Sequence, residues 1–152
     1  MAAPADTLEW RHTLEGVDWD ELSALYRIAP LGDKKPDGLR TVFEASRFRC
    51  FVYEQGVLVG AGRALADGLD CSYICDVAVH PRLQGRGVGR DIVARLVDFS
   101  RGHRKIILYA VAGKEPFYRK LGFRRMKTAM GIFSNEAWSI EHGLLEGGEA
   151  TD

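Results

Sequence analysis

The chain has 152 residues, the length of one domain, and can bury about 70% of the surface that its unfolded form exposes, so its fold needs neither a metal nor a disulfide. Its 21 basic and 21 acidic residues give a formal net charge of zero, so no overall charge attracts nucleic acid or an anionic membrane. Residues Met1 to Leu8 lack the pattern of a targeting signal, and no segment approaches the roughly 18 to 20 apolar residues of a membrane span. We expect a cytosolic protein with one domain over residues 1–146 and a disordered tail over 147–152.

The first 46 residues predict one strand and two helices. Thr7 to Leu14 is compatible with a strand. Asp18 has the character of an N-cap, because Glu21 follows three residues later and apolar residues then recur at helical spacing until about Pro30. Leu39 to Ser46 repeats the helical spacing after a loop rich in glycine, proline and aspartate.

The middle of the chain has the texture of β-strands. Cys50–Tyr53 and Val57–Ala64 are apolar runs joined by a turn at Glu54–Gly56, and together they predict a hairpin. A second turn leads into a strand over Ser72–Val79. Three cysteines fall in or near these strands without metal-ligand or disulfide spacing, so we expect no metal site and interpret Cys50, Cys71 and Cys75 as small buried apolar residues.

The second half predicts alternating helices and strands. A long amphipathic helix carries Val88 to Phe99, and the apolar run Ile106–Val111 is typical of a strand buried on both faces. A short helix is expected over about Glu115–Leu121, a last strand within Phe123–Phe133, and a weak helix over Asn135–Leu145. The fold class is therefore mixed α+β, with a central sheet flanked by helices.

Glycines alternate in the segment between the Ser72–Val79 strand and the long helix, at Gly85, Gly87 and Gly89. At a helix N-terminus, bare backbone N–H groups and the positive end of the helix dipole favour a phosphate, which side chains would obstruct. Arg82, Arg86 and Arg90 are spaced to add positive charge there. The alternatives are a glycine-rich turn without a ligand and arginines that are ordinary solvated surface.

This stretch resembles the GCN5-related N-acetyltransferases. Gln84, Gly87 and Gly89 match the acetyl-CoA loop of that family, Val77–Pro81 matches the strand and bend before it, and Phe117–Phe123 resembles a second signature. The resemblance implies a mostly antiparallel sheet that splays open beside Ile74–Val79 to admit the pantetheine arm of acetyl-CoA. The residues it implies for acetyl-CoA binding are Val77, Ala78, Val79, Gln84, Gly85, Arg86, Gly87, Val88, Gly89, Arg90 and Tyr118.

The resemblance also suggests catalytic roles. An alkyl ammonium must lose a proton before it attacks, and Asp76, in the strand that lines the gap, is the first candidate for the base. Its alternative role is to pair with a neighbouring arginine or a backbone N–H. His80 is the second candidate, although it matches a position that bends the chain. Tyr118 is implied as the proton donor to the leaving thiolate, with aromatic packing against Phe117 and Phe123 as its alternative.

The acceptor is left open by the sequence. Many family members carry an asparagine after the strand that corresponds to Ile106–Val111, whereas Ala110–Glu115 contains none. In the segment Ala110–Glu115 and in having Asp76 in its strand, the chain is similar to the plant and cyanobacterial arylalkylamine (serotonin-type) acetyltransferases. A small-molecule primary amine is the expected acceptor, and a protein lysine or N-terminus is the alternative. A non-catalytic acyl-CoA-binding module is the alternative of another class.

Two further expectations concern surfaces. The acceptor pocket implied by the resemblance would draw on the first helices, the hairpin and the last strand, where the aromatic and methionine candidates are equally compatible with core packing; they are Tyr26, Phe48, Tyr53, Met130 and Phe133. Segment 133–145, with Trp138 and Ile140, is a candidate surface for a homodimer.

Overall fold

A computed structural model describes residues 7–148, and the chain divides into two compact units after Leu108. The first unit holds the sheet and three helices. The second, which starts at Tyr109, holds two short helices joined by irregular segments. Residues 1–6 and 149–152 lie outside the described residues, and with them most of the predicted tail.

The sheet has five strands in the order β1-β2-β3-β4-β5. Neighbours pair antiparallel except for β4 and β5, which are parallel, so the predicted mixed and mostly antiparallel sheet is confirmed. The strand bounds are β1 Leu8–Arg11, β2 Phe48–Glu54, β3 Val57–Ala66, β4 Cys71–Val79 and β5 Lys105–Ile107.

The helices of the first unit are α1 Trp19–Ile28, α2 Pro36–Glu44 and α3 Val88–Phe99. The predicted cap of α1 is confirmed, because the Asp18 carboxylate accepts hydrogen bonds from the first-turn N–H groups of Asp20 and Glu21. The second unit contains α4 Glu115–Lys120 and α5 Glu136–Glu141.

Helices cover both faces of the sheet. On one face, α1 and α2 bury Tyr26 and Phe43 against Phe51. On the other, α3 lies so close to β3 that a Cβ added at Gly62 would stand 2.8 Å from the Ile92 side chain. Because successive strand residues face opposite sides, glycines at positions 60 and 62 make room for α3 while Ala61 joins the α1 and α2 core.

Several expected elements differ from the structure. β5 ends at Ile107 instead of continuing to Val111, and Tyr109 and Val111 are more than half exposed. No part of Phe123–Phe133 forms a strand within residues 7–148, because a strand needs a hydrogen-bonded neighbour and this segment has none there.

Smaller corrections concern element bounds and burial. β1 is shorter than the predicted strand over Thr7–Leu14, and α2 begins at Pro36, three residues before Leu39, because proline suits the first helical position. Cys50 is fully buried as expected, whereas Cys71 and Cys75 are only half-buried.

Candidate functional site

β4 contains a bulge at Asp76. Ala61 pairs with Ala78 and Arg63 pairs with Cys75, so β4 has one residue more than β3 between these two pairs. Asp76 has a φ of +55°, a left-handed conformation that is uncommon for a residue with a side chain. Such bulges bend a strand and redirect its backbone groups, and they often occur beside active sites.

Two side chains form hydrogen bonds to Asp76 at the bulge, and a third, Lys34, lies near it. The Arg63 Nε donates a hydrogen bond to Asp76 Oδ2 at 2.7 Å, and the Tyr26 hydroxyl donates one to the Asp76 carbonyl oxygen at 2.6 Å. On the other carboxylate oxygen, Lys34 Nζ lies 3.5 Å from Asp76 Oδ1. Burial raises the pKa of Tyr26 well above its ordinary value, so its phenol stays a neutral donor.

On the side that faces away from β3, β4 has no partner strand beyond Tyr73 within residues 7–148. β5 pairs with Cys71, Ser72 and Tyr73 only, so the ladder stops before Ile74. The backbone of Ile74–Val79 therefore lines an open edge that begins just before the bulge, as the predicted splay requires. Of the three residues predicted to line it, Ala78 is buried, and Val77 and Val79 are half-buried.

His80 shapes the bend that leaves β4. Its N–H donates to the Val59 carbonyl oxygen at 2.8 Å, and its Nδ1 accepts a hydrogen bond from the Arg82 N–H at 3.1 Å. The first bond ties the residue before the turn over Pro81–Leu83 to β3, and the second caps the start of that turn. These bonds match the bending role that the sequence suggested for this histidine.

The glycine-rich loop presents backbone donors at the start of α3. Gly85 and Gly87 both have a φ of +82°, and Gly87 is the N-cap of the helix without a side-chain cap. The first hydrogen bond of the helix runs from the Asp91 N–H to the Gly87 carbonyl oxygen. The N–H groups of residues 88–90 thus precede the helical ladder and are available to an anion. The loop fits the pyrophosphate that the resemblance implies.

The arginines around this loop differ in their partners. Arg82 forms an ion pair with Glu54, and Arg90 Nε lies 3.3 Å from the Asp91 carboxylate. Arg86 is exposed and makes no ion pair within the described part of the chain. Gln84 has a structural bond, because its Nε2 donates to the Val79 carbonyl oxygen at 3.2 Å and so ties the loop to the end of β4.

Tyr118 lies on α4 in the second unit. Its ring makes edge contacts with Phe117 at 5.0 Å and with Phe123 at 6.0 Å between centroids. Burial raises the pKa of the Tyr118 phenol, so the hydroxyl keeps its proton at neutral pH. Tyr118 thus makes the aromatic contacts expected of a packing role. It also keeps the proton that a catalytic role would need.

The candidates for the acceptor pocket differ in burial and in the rings they contact. Tyr26 is fully buried and Tyr53 is 4% exposed, so their rings belong to the core, whereas Met130 is 96% exposed. Phe48 stacks on Phe99, and Phe133 contacts Tyr109. A cleft of about 540 Å³ between the starts of α1 and α2 contains none of the predicted site residues; its lining is Val17, Asp18, Trp19, Asp20, Lys35, Pro36 and Asp37.

Arg63 was missed in the sequence. It is a single charged residue in an otherwise apolar and small-residue strand, Val57–Ala66, and this isolation was the available signal. A charge buried in such a strand needs a partner of opposite sign, and Asp76 is that partner. Within residues 7–148, no group of three or more His, Cys, Asp or Glu residues could hold a metal ion, and no helix has the length and hydropathy to cross a membrane.

The open β4 edge, its bulge and the glycine-rich helix start occur together on a mixed sheet of this order, which defines the class of acyl-CoA N-acyltransferase folds. The sequence profile of the Acetyltransferase (GNAT) family matches residues 12–123. The chain belongs to this family.

A curated relative agrees with this assignment. Serotonin N-acetyltransferase 2, chloroplastic, from Oryza sativa subsp. japonica is 32% identical over 121 residues, which cover 74% of this chain and 60% of the rice protein. The chain thus spans less than two thirds of that relative.

Two solved structures show the same fold. A GNAT-family acetyltransferase from Streptococcus pneumoniae has a TM-score of 0.72 at 19% identity and covers 85% of this chain and 98% of its own. The aminoglycoside N-acetyltransferase AAC(6')-Iy in complex with CoA has a TM-score of 0.65 at 16% identity, covering 84% of this chain and 94% of its own.

Proposed function

We propose that this protein is an N-acetyltransferase that transfers an acetyl group from acetyl-CoA to a primary amine of a small molecule, with both substrates bound together. The observation that carries the proposal is the open edge Ile74–Val79, which is followed by a helix start whose backbone N–H groups have no side-chain cap. An extended pantetheine amide chain could pair with such an edge as an added strand does.

Acetyl-CoA would be held by backbone more than by side chains. The N–H groups of residues 88–90 and the glycines at 85 and 87 suit the pyrophosphate, and Arg86 and Arg90 would add positive charge. The backbone groups of Val77 and Val79 would pair with the pantetheine. The bulge at Asp76 supports this role, because it alters where the following N–H groups point.

The reaction forms a bond between the amine nitrogen and the acetyl carbon and breaks the bond between that carbon and the sulfur of CoA. The amine must lose a proton, and the thiolate of CoA gains one. Asp76 is the proposed acceptor of the first proton, directly or through water, and the protonated Tyr118 phenol is the proposed donor of the second. A backbone N–H near Val77 would stabilise the developing oxyanion.

The acceptor class is the least constrained part of the proposal. The similarity to a serotonin N-acetyltransferase favours an arylalkylamine among small amines. A protein lysine or N-terminus is the alternative acceptor, and an acyl-CoA-binding module without catalysis is the alternative function. The homodimer and the cytosolic location stay predictions.

A thiol-release assay tests the function. Purified protein would be mixed with acetyl-CoA and a panel of arylalkylamines, amino acids, amino sugars and lysine peptides, and release of CoA would be followed. We expect turnover on at least one small amine. Binding of acetyl-CoA without turnover on any acceptor would favour the non-catalytic module, and turnover on peptides alone would favour the protein acetyltransferase.

Gly87→Val tests the phosphate site itself. A β-branched side chain at a φ of +82° strains the backbone by about 1–3 kcal/mol, and its Cβ would stand 2.8 Å from the Arg90 guanidinium. The dissociation constant of acetyl-CoA, measured by calorimetry, should rise about tenfold or more. Gly102→Val is the matched control, because it adds a similar backbone strain, at a φ of +97°, just beyond the other end of α3. Equal dissociation constants in the two variants would refute the site.

A further inference from the structure

The two cations on Asp76 are held very differently. Arg63 is 13% exposed, and its Nε makes a hydrogen bond of 2.7 Å to Oδ2. Lys34 is 33% exposed, and its Nζ stands 3.5 Å from Oδ1, beyond the usual hydrogen-bond range. The Asp76 charge is thus paired chiefly with Arg63, while Lys34 is a second, loosely held cation.

Lys34 is nevertheless kept at the bulge. The Ser23 hydroxyl donates a hydrogen bond of 2.6 Å to the Lys34 carbonyl oxygen and so anchors its backbone. The ammonium lies 5.8 Å from the centroid of the Tyr26 ring, within range of a cation–π attraction. In residues 7–148 the ammonium donates no hydrogen bond, so its donors are available to a ligand.

The cluster carries one positive charge in excess. Arg63 and Lys34 contribute two positive charges and Asp76 contributes one negative charge. Cys75 adds no charge, because burial raises the pKa of its thiol to about 11. A simple amine that approaches Asp76 as a cation therefore meets a site that is already positive.

We propose that the acceptor is an α-amino acid or a close analogue, with a carboxylate beside its amino group, and that Lys34 binds this carboxylate. The inference rests on the proposed function, in which the amine reaches Asp76. An α-amino acid carries its amino and carboxylate groups on one carbon atom, so it presents opposite charges side by side as Asp76 and Lys34 do. Its carboxylate supplies a hydrogen-bond acceptor for the Lys34 ammonium, which among the described residues has only the 3.5 Å ion pair to Asp76, and its amino group faces the carboxylate of Asp76.

Matched acceptors separate this inference from other amines. L-tryptophan, L-tryptophan amide and tryptamine share the same ring and amine but differ in the carboxylate, and L-tyrosine and tyramine form a second pair. We expect a kcat/KM at least about tenfold higher for the amino acids, the effect of one charged hydrogen bond. A peptide with a free N-terminus, which lacks the adjacent carboxylate, should behave like the amide.

Variants test whether Lys34 causes the preference for amino acids. Lys34→Gln should lower kcat/KM for L-tryptophan about tenfold and leave kcat/KM for tryptamine unchanged or higher. Lys34→Arg should retain the preference for the amino acid that Lys34→Gln loses. Lys35→Gln is the matched control, because Lys35 is 75% exposed and pairs with Asp33 instead. Thermal melts of all three variants would show that each is folded.

The outcomes are distinct. Turnover that prefers tryptamine or the amide over the amino acid in the wild-type protein would overturn the inference and leave the proposed function standing. A preference for amino acids that survives in Lys34→Gln would overturn the role of Lys34. No turnover on any acceptor, with acetyl-CoA still bound, would overturn the proposed function and the inference with it.

Discussion

Replacing Arg63 with methionine should destabilise the protein through Asp76. Removing one partner from a fully buried ion pair costs about 3–5 kcal/mol, because the remaining charge is left buried and unpaired. Here Asp76 is 18% exposed and retains Lys34 at 3.5 Å, so we expect a smaller loss in the free energy of unfolding, about 2–3 kcal/mol. At roughly 2–4 °C per kcal/mol for a chain of this size, the melting temperature should fall by about 4–12 °C.

Thermal and urea unfolding followed by circular dichroism would measure this loss. Arg101→Met is the control, because Arg101 pairs with Asp98 at a similar distance of 2.9 Å but is 74% exposed, and such surface pairs contribute about 0–1 kcal/mol. A loss in Arg63→Met no greater than that in Arg101→Met would refute the reasoning. Asp76→Asn in the same chain should reduce the cost of Arg63→Met, because the charge that needs Arg63 is then absent.

Two other substitutions test the chemistry and the pH dependence. Tyr118→Phe should lower kcat more than it weakens acetyl-CoA binding, and an unaltered rate would leave this residue only its packing role. Burial lowers the pKa of His12, whose Nε2 has no hydrogen-bond partner within residues 7–148. As the pH falls below about 6.5, this histidine therefore gains its proton in the unfolded chain before it does so in the folded one. The free energy of unfolding should therefore decline below that pH. In His12→Gln the urea midpoint should depend less on pH between about pH 7 and 5 than in the wild-type protein. Parallel plots of urea midpoint against pH for the two proteins would contradict this.

Local patterns in the sequence predicted the fold well where the cause of the structure is local. The Asp18 cap depends on groups within three residues, and α3 follows from apolar spacing along a single helix. The hairpin of β2 and β3 needs only a turn at Gln55–Gly56 between two apolar runs. Each of these signals lies within a window of about 20 residues.

The errors share a different cause. Whether Ile106–Val111 continues as a strand depends on a neighbour that offers N–H and C=O groups, and the pairing of β4 with β5 ends at Tyr73. The hydropathy of the run itself does not contain that information. Glu21 also has a distant partner that its local sequence does not show, since its carboxylate accepts a hydrogen bond from the Leu58 N–H on β3, 37 residues away.

The sequence motif indicated where the candidate site lies, but it did not show how the residues there are arranged. The motif named the glycines and Gln84 as candidates. The bulge that gives Asp76 its conformation arises instead from a one-residue mismatch between β3 and β4, which the sequence of one strand does not show. Arg63 and Asp76 are 13 residues apart, and Tyr26 and Asp76 are 50 apart. Sequence reasoning named both Asp76 and the option of an arginine partner, and only the strand register identified which arginine.

The position of the proposed phosphate site depends on β3 as well as on the loop that would form it. The N–H groups at the start of α3 can meet a ligand on the β4 edge only if the helix axis lies close to the sheet. Gly60 and Gly62 allow that approach, because any larger residue would meet Ile92 at 3.0 Å or less. The bonds from the His80 N–H to Val59 and from Gln84 to Val79 then join the bend and the loop to the same two strands. In the proposed site the glycine-rich loop would provide the donors, and Gly60 and Gly62 on β3 would set how close those donors lie to the sheet.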